Sequence, residues 1–147
     1  MKPLHFISQS EKETITFGEK LVSHLRPGDI ICLWGDLGSG KTTLVKGIAK
    51  GLSLPSKKVH SPTFVIMNIY EGKLPLYHFD LYRLESGEQL NSIEFDEFFY
   101  GDGISVIEWA DRLKSHLPMA YIAIHLKHRQ QGVREIIVSL QGKREGL

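Results

Sequence analysis

Apolar positions along the chain change their spacing several times, and each change marks a predicted element. Ile15, Phe17, Leu21, Val22 and Leu25 fall largely on one helical face, and Ser10 followed by Glu13 has capping-box spacing, so a helix is predicted there that stops near Pro27-Gly28. From Asp29 to Trp34 apolar residues run without alternation, the pattern of a short buried strand. Helical spacing returns with Leu44, Val45, Ile48, Ala49 and Leu52, predicting a helix over Lys41 to Leu52 with Gly51 near its end. Between these two elements stands a glycine-rich stretch, so strand, glycine loop and helix follow one another directly.

Ser53 to Thr63, rich in proline, serine and lysine, reads as an exposed loop. Phe64 to Tyr70 and Leu76 to Asp80 read as strands joined by the turn Glu71-Gly72-Lys73-Leu74-Pro75, an antiparallel hairpin that a plain βαβ repeat lacks. Tyr82 to Leu90 fits neither period. Ile93 to Phe99 predicts a short helix, Ile104 to Glu108 a brief strand ending in an acid, and Trp109 to His116 a helix stopped by Pro118. Tyr121 to Lys127 and Val133 to Leu140 alternate around Gln130-Gln131-Gly132, a terminal hairpin, and Gln141 to Leu147 reads as a frayed tail. No internal repeat or low-complexity segment interrupts the series. The expected architecture is a single α/β domain over residues 1–147, three layers deep. Its central mixed sheet carries the glycine loop at a strand's C-terminal end, with antiparallel additions from the two hairpins.

Composition narrows the function. With 147 residues and 41% hydrophobic content, the chain is long enough for one real core and too short for two ordinary domains. Lys and Arg total 18 against 17 for Asp and Glu, so no global basic field supports autonomous binding to DNA or RNA. The single cysteine, Cys32, lies inside the apolar run Ile30 to Trp34, where a buried, inert thiol is expected. The N-terminus lacks the pattern of a signal peptide and no apolar run approaches membrane-spanning length, so a soluble, cytoplasmic protein without a membrane partner is expected.

The glycine stretch, Gly35-Asp36-Leu37-Gly38-Ser39-Gly40-Lys41-Thr42, has the G-x4-G-K-[ST] form of a phosphate loop, the Walker A motif. A triphosphate needs several donors converging without side chains in the way, and glycines at 35, 38 and 40 let backbone N–H groups point inward. Lys41 supplies a point charge to the β- and γ-phosphates, Thr42 a hydroxyl to Mg²⁺, and the helix beginning here directs its positive end at the same anion. Average residue frequencies would produce such a string by accident in roughly one chain in two hundred of this length. The flanking strand and helix lower those odds further.

Mg²⁺ held by such a loop usually takes a second carboxylate from the end of a neighbouring strand. Asp80, ending Leu76-Tyr77-His78-Phe79, and Glu108, ending Ile104-Ser105-Val106-Ile107, both qualify, and spacing alone does not rank them. One acid could serve the metal while the other positions an attacking water; either could equally be a simple strand-ending acid. His78 and Asp80 are two apart on a predicted strand and share a face, the minimum of a metal pair, but no third ligand of matching spacing follows. Arg83 could reach phosphate or pair with an acid. Ser61-Pro62-Thr63-Phe64 enters a strand after the loop's helix, a position suited to sensing the γ-phosphate. Lys57 and Lys58 in the same region read as a solvated face.

Four motifs in this order resemble a specific family: Gly35 to Thr43, then Ser61-Pro62-Thr63-Phe64, then His78-Phe79-Asp80-Leu81-Tyr82-Arg83, then Ile107-Glu108-Trp109. The resemblance, from about Ser8 to Leu140, is to TsaE (also known as YjeE), the ATPase component of bacterial tRNA threonylcarbamoyladenosine biosynthesis. It implies that Gly35, Asp36, Leu37, Gly38, Ser39, Gly40, Lys41, Thr42 and Thr43 bind ATP, with Trp109 beside the nucleotide. It also implies that Thr42 and Glu108 hold Mg²⁺, that Asp80 acts with Lys41 in hydrolysis, and that Thr63 belongs to a switch-like loop. As partners it implies TsaB and TsaD, which transfer a threonylcarbamoyl group to adenosine in certain tRNAs, so tRNA is reached indirectly. The chain departs from the family at Asn91-Ser92-Ile93-Glu94-Phe95-Asp96-Glu97-Phe98, where the acids and apolar spacing persist without the usual glycine, so Glu94 is not taken as a site residue.

A small-molecule or nucleoside kinase would share the phosphate loop. It would normally add an arginine-bearing lid, whereas this chain has six arginines and, after Glu108, room for one short helix and a hairpin. Guanine readout commonly uses Asn-Lys-x-Asp; neither Asn68 nor Asn91 precedes a lysine, which favours ATP over GTP. A purely structural nucleotide-binding subunit would look the same in sequence, and only mutation separates it from an ATPase.

Overall fold

The computed structural model describes residues 3–36, 38–60, 67–84 and 93–142. Leu37, the Ser61 to Phe64 segment with Thr63, most of the ambiguous Tyr82 to Leu90 stretch and the tail from 143 onward lie outside the described residues. In chain order the elements are β1 (Leu4–Ser8), α1 (Glu11–Leu21), β2 (Ile30–Trp34), α2 (Lys41–Gly51), β3 (Met67–Tyr70) and β4 (Leu76–Asp80). They continue with α3 (Phe95–Phe99), β5 (Ile104–Glu108), β6 (Tyr121–Gln130) and β7 (Val133–Gln141).

The seven strands form one mixed sheet in the order β1-β7-β6-β2-β5-β4-β3. Strands β6, β2, β5 and β4 run parallel to their neighbours in the middle, while β3 pairs antiparallel with β4, and β7 antiparallel with both β6 and β1. Parallel central strands bring the C-terminal ends of β2, β4, β5 and β6 to one edge of the sheet. That edge is where ligand crevices open in α/β sheets.

The apolar run of β2 is continuous because both its faces are covered. Ile31 and Leu33 pack with Leu44, Val45 and Ile48 of α2, while Ile30 and Cys32 pack on the opposite face with Phe79, Phe95, Phe99 and Leu113. Helices on either side of the sheet make the expected three layers. Burial pushes the Cys32 thiol up to about 12, in keeping with an inert core cysteine.

Helix α1 begins as its spacing predicts, with the Ser10 side chain accepting from the Glu13 N–H at 3.1 Å. The reciprocal bond runs to the Gln9 N–H rather than to Ser10, at 2.6 Å. Gly47 lets α1 and α2 approach closely: a Cβ there would stand 2.3 Å from the Ile15 carbonyl oxygen, a backbone atom with no rotamer to change. Gly47→Ala is therefore expected to destabilise the fold by about 3 kcal/mol, read as a lower urea midpoint. An unchanged midpoint would mean that α1 can back away at no cost.

Three readings from the pattern need correction. Leu4–Ser8 is a strand that the pattern does not signal, because as an edge strand it leaves Leu4 58% and Ile7 46% exposed and shows no clean alternation. Its order comes from main-chain pairing with β7. The predicted helix over Trp109 to His116 is replaced by two 3-10 turns, Ala110–Arg112 and Lys114–His116. Trp109, the residue after β5, has left-handed backbone, φ 59 and ψ 46, which stops an α-helix from starting directly after the strand. Ala110 and Leu113 are then buried three apart, as the 3-10 period requires. Finally, β6 and β7 run further than the alternating core, with an irregularity between His128 and Gln130 and Gly132 in the turn at φ 78. Among the described residues no helix is long and apolar enough to cross a membrane.

Candidate functional site

The phosphate loop leaves the C-terminal end of β2 and enters α2 through Gly40, whose left-handed φ of 104 sets the turn into the first helical residue, Lys41. Gly35 is packed so closely that a Cβ would meet Ser39 Oγ at 2.5 Å and the Leu126 carbonyl at 2.7 Å. Ser39 N–H closes the loop onto the Asp36 carbonyl at 3.0 Å. Gly38, at φ 78, has open space around it and is exposed, and Thr43 is half-buried in the first turn of α2.

Lys41 is 5% exposed. Its Nζ donates to the Gly35 carbonyl and to the Asp36 carbonyl, and it lies 4.2 Å from the centre of the Trp109 ring. Burial lowers its pKa; Glu108, Asp80, Asp36 and Asp111 act in the opposite direction. The ammonium is thus held inside the loop by carbonyls and an aromatic face, with four carboxylates around it.

Thr42, one residue on, turns its hydroxyl to Glu108, donating to Oε1 and Oε2 at 3.2 Å each. Glu108 ends β5, directly beside β2, and is 2% exposed. Asp80 ends β4, one strand further out, and is Glu108's register partner. The Tyr82 N–H donates to Asp80 Oδ1 at 3.0 Å, and the Tyr82 ring packs on Trp109 at 4.9 Å, so the segments around the two acids meet. Burial raises the Asp80 pKa, helped by the nearby Glu108 charge and opposed by the Tyr82 N–H, His78 and Lys41.

That shift has a sign that can be tested. A carboxylate with a raised pKa keeps its proton to higher pH when folded than when unfolded, so stability falls as pH rises from 3.8 through the raised value, and the cost persists above it. Nucleotide-free Asp80→Asn is expected to melt at a higher temperature than the parent at neutral pH, with the gap closing as pH falls towards 3.8. A gap independent of pH would assign the gain to something other than the buried charge.

His78 has a contact that sequence spacing did not reveal. It is fully buried, and its Nε2 lies 2.5 Å from Glu108 Oε2. Rather than pairing with Asp80 to hold a metal, it reaches across to the neighbouring strand. Its two-residue offset from Asp80, which placed both on one face, was the available signal. No group of three His, Cys, Asp or Glu side chains among the described residues is arranged to hold a metal ion. One hydroxyl and one carboxylate meet there instead, both hard oxygen donors of the kind that suits Mg²⁺.

The loop, Trp34, Trp109, Asp111 and residues 125–129 of β6 line a cleft of about 620 Å³. Trp34 stacks on His125 at 5.0 Å and 10°, and Lys57, Lys58 and Arg83 lie exposed on the surface. Leu37 and Thr63 are outside the described residues.

The family model described as "Threonylcarbamoyl adenosine biosynthesis protein TsaE" matches residues 8–136. The chain belongs to the TsaE family. Similar curated members are the tRNA threonylcarbamoyladenosine biosynthesis protein TsaE of Bacillus subtilis, 39% identical over 98% of this chain and 90% of that protein, and that of Treponema pallidum, 41% identical over 90% and 98%. Among solved structures, the crystal structure of Bacillus subtilis YdiB superimposes with a TM-score of 0.81 at 35% identity, covering 97% of this chain and 88% of that one. The matched TsaE span takes in the phosphate loop, both acids and Trp109.

Proposed function

We propose that this TsaE-family chain is a Mg²⁺-dependent ATPase that supports tRNA threonylcarbamoyladenosine formation in the cytoplasm, with low activity alone and faster turnover when TsaB and TsaD are bound. The observation that carries the ATPase reading is the convergence of Lys41, Thr42 and Glu108 at the C-terminal end of adjacent parallel strands, with Asp80 beside them. The process is carried by relatives that match nearly the whole chain and are named for tRNA threonylcarbamoyladenosine biosynthesis.

Gly35 to Thr43 bind the phosphates through backbone N–H groups and the start of α2, and Lys41 moves from the loop carbonyls onto the β- and γ-phosphates. Thr42 and Glu108 would hold Mg²⁺, which would neutralise negative charge on the phosphates. Asp80 orients the attacking water, and its raised pKa suits it to take a proton from that water. Trp109 shields Lys41 from solvent. Thr63 is assigned to the segment that responds to the γ-phosphate, and tRNA is met through the partner complex.

The test is Mg-ATP hydrolysis by the purified protein, alone and with TsaB and TsaD added, with GTP and Lys41→Ala as controls. Slow turnover that rises with the two proteins supports the reading. Brisk turnover that needs a small-molecule phosphate acceptor and ignores the two proteins would make the chain a kinase.

A further inference from the structure

The mechanism above leaves His78 unused, although its Nε2 lies closer to Glu108 than the Thr42 hydroxyl does. It sits in β4 between β3 and β5, opposite Asn68 on one side and Val106 on the other, with the Tyr70 ring at 6.5 Å. Its ring is fully buried, and Nδ1 has no hydrogen-bond partner among the described residues. An imidazole serving only as core filler would be a poor choice here, since a leucine would occupy the space without burying an unpaired nitrogen. The compensation lies at the other nitrogen. A carboxylate only accepts, so Nε2–H donates to Glu108 Oε2 at 2.5 Å.

Glu108 needs such a donor. At 2% exposure its carboxylate has little access to water, and a glutamate has three torsions to immobilise. Thr42 contacts both oxygens equally, whereas His78 binds Oε2 alone and so distinguishes the two. The clamp joins the first turn of α2, the end of β5 and the middle of β4.

We infer that His78 is a positioning residue: its Nε2–H holds the Glu108 carboxylate in the orientation that receives Mg²⁺ beside Thr42. This rests on the reading of Glu108 as the metal-side acid. His78 acts through Glu108, and its effect falls on metal affinity. Outer partners of metal ligands are worth roughly 10- to 100-fold in metal affinity.

The experiment measures ADP binding by calorimetry in EDTA and across a Mg²⁺ titration, for the parent, His78→Leu, His78→Gln and Glu108→Gln. The expected result is that His78→Leu needs about 10- to 100-fold more Mg²⁺ while its affinity for ADP in EDTA stays within about two-fold of the parent. His78→Gln, whose amide nitrogen can stand near Nε2, should recover most of the loss. If His78→Leu keeps the parent's Mg²⁺ dependence while Glu108→Gln loses it, the positioning role is wrong and the metal reading of Glu108 stands. Unchanged Mg²⁺ dependence in Glu108→Gln as well overturns both. Equal loss with and without Mg²⁺, or His78→Gln behaving as His78→Leu, makes His78 merely structural. Should His78→Leu fail to fold, histidine ¹H–¹⁵N spectra of the parent decide: the Nε2–H resonance should move on adding Mg²⁺ to the ADP complex, and one that stays still overturns the proposal.

Discussion

Lys41→Ala is expected to lower nucleotide affinity by on the order of a hundred- to a thousand-fold, about 3 to 4 kcal/mol, measured by calorimetry with Mg-ADP. The side chain is nearly buried, already desolvated, and held within the loop, so the cost of bringing a cation into the site has been met before the ligand arrives. Removing it leaves Glu108, Asp80, Asp36 and Asp111 facing a polyanionic ligand with their nearest counter-charge gone. The backbone cradle persists, since its glycines and the Gly40 turn do not depend on the lysine. Residual weak binding is therefore expected, with the fold retained, because the desolvation penalty of the ammonium disappears with it. An affinity within about three-fold of the parent would sink the phosphate role of Lys41 and with it the proposed function.

The second large effect is on turnover. Asp80→Ala should reduce ATP hydrolysis, in the presence of the partner proteins, by roughly 100-fold or more while leaving Mg-ADP affinity within a few-fold. Asp80 is one strand further from β2 than Glu108, and Thr42 bonds to Glu108. Its local contact is the Tyr82 N–H, which aims Oδ1 without tying it to the loop. Glu108→Ala should behave differently, weakening binding only when Mg²⁺ is present. Equal losses of binding in the two variants would erase the division of labour between the acids. Hydrolysis undiminished in Asp80→Ala would remove Asp80 from the hydrolytic step and place the orientation of water on another group.

Much of this site was legible one segment at a time. The phosphate loop is contiguous, and each of its demands, glycine for backbone approach, lysine for charge and a hydroxyl for metal, is a property of residue type at fixed spacing. Strands β4 and β5 matched their predicted limits because their apolar runs end abruptly in acids. The edge strand β1 was not legible, since half-exposed edges carry little pattern. The stretch after Trp109 failed for a different reason: one residue's left-handed backbone, invisible in composition, changes the helix type that follows.

By itself the sequence determined the α/β class, the phosphate loop, the two candidate acids and, through four ordered motifs, the resemblance to the TsaE family. The resemblance ranked the two acids; tertiary structure supplied the contacts themselves, Thr42 to Glu108 and His78 to the same carboxylate. Thr42 and Glu108 are 66 residues apart, and His78 and Glu108 are 30 apart. Their meeting depends on strand order, which brings β5 rather than β4 next to β2, and on register, which sets Asp80 opposite Glu108 and His78 one step below. Local periodicity encodes which face a residue takes; pairing between distant strands is settled by packing of the whole sheet, and it is that pairing that turns a strand-ending glutamate and a buried histidine into one clamp.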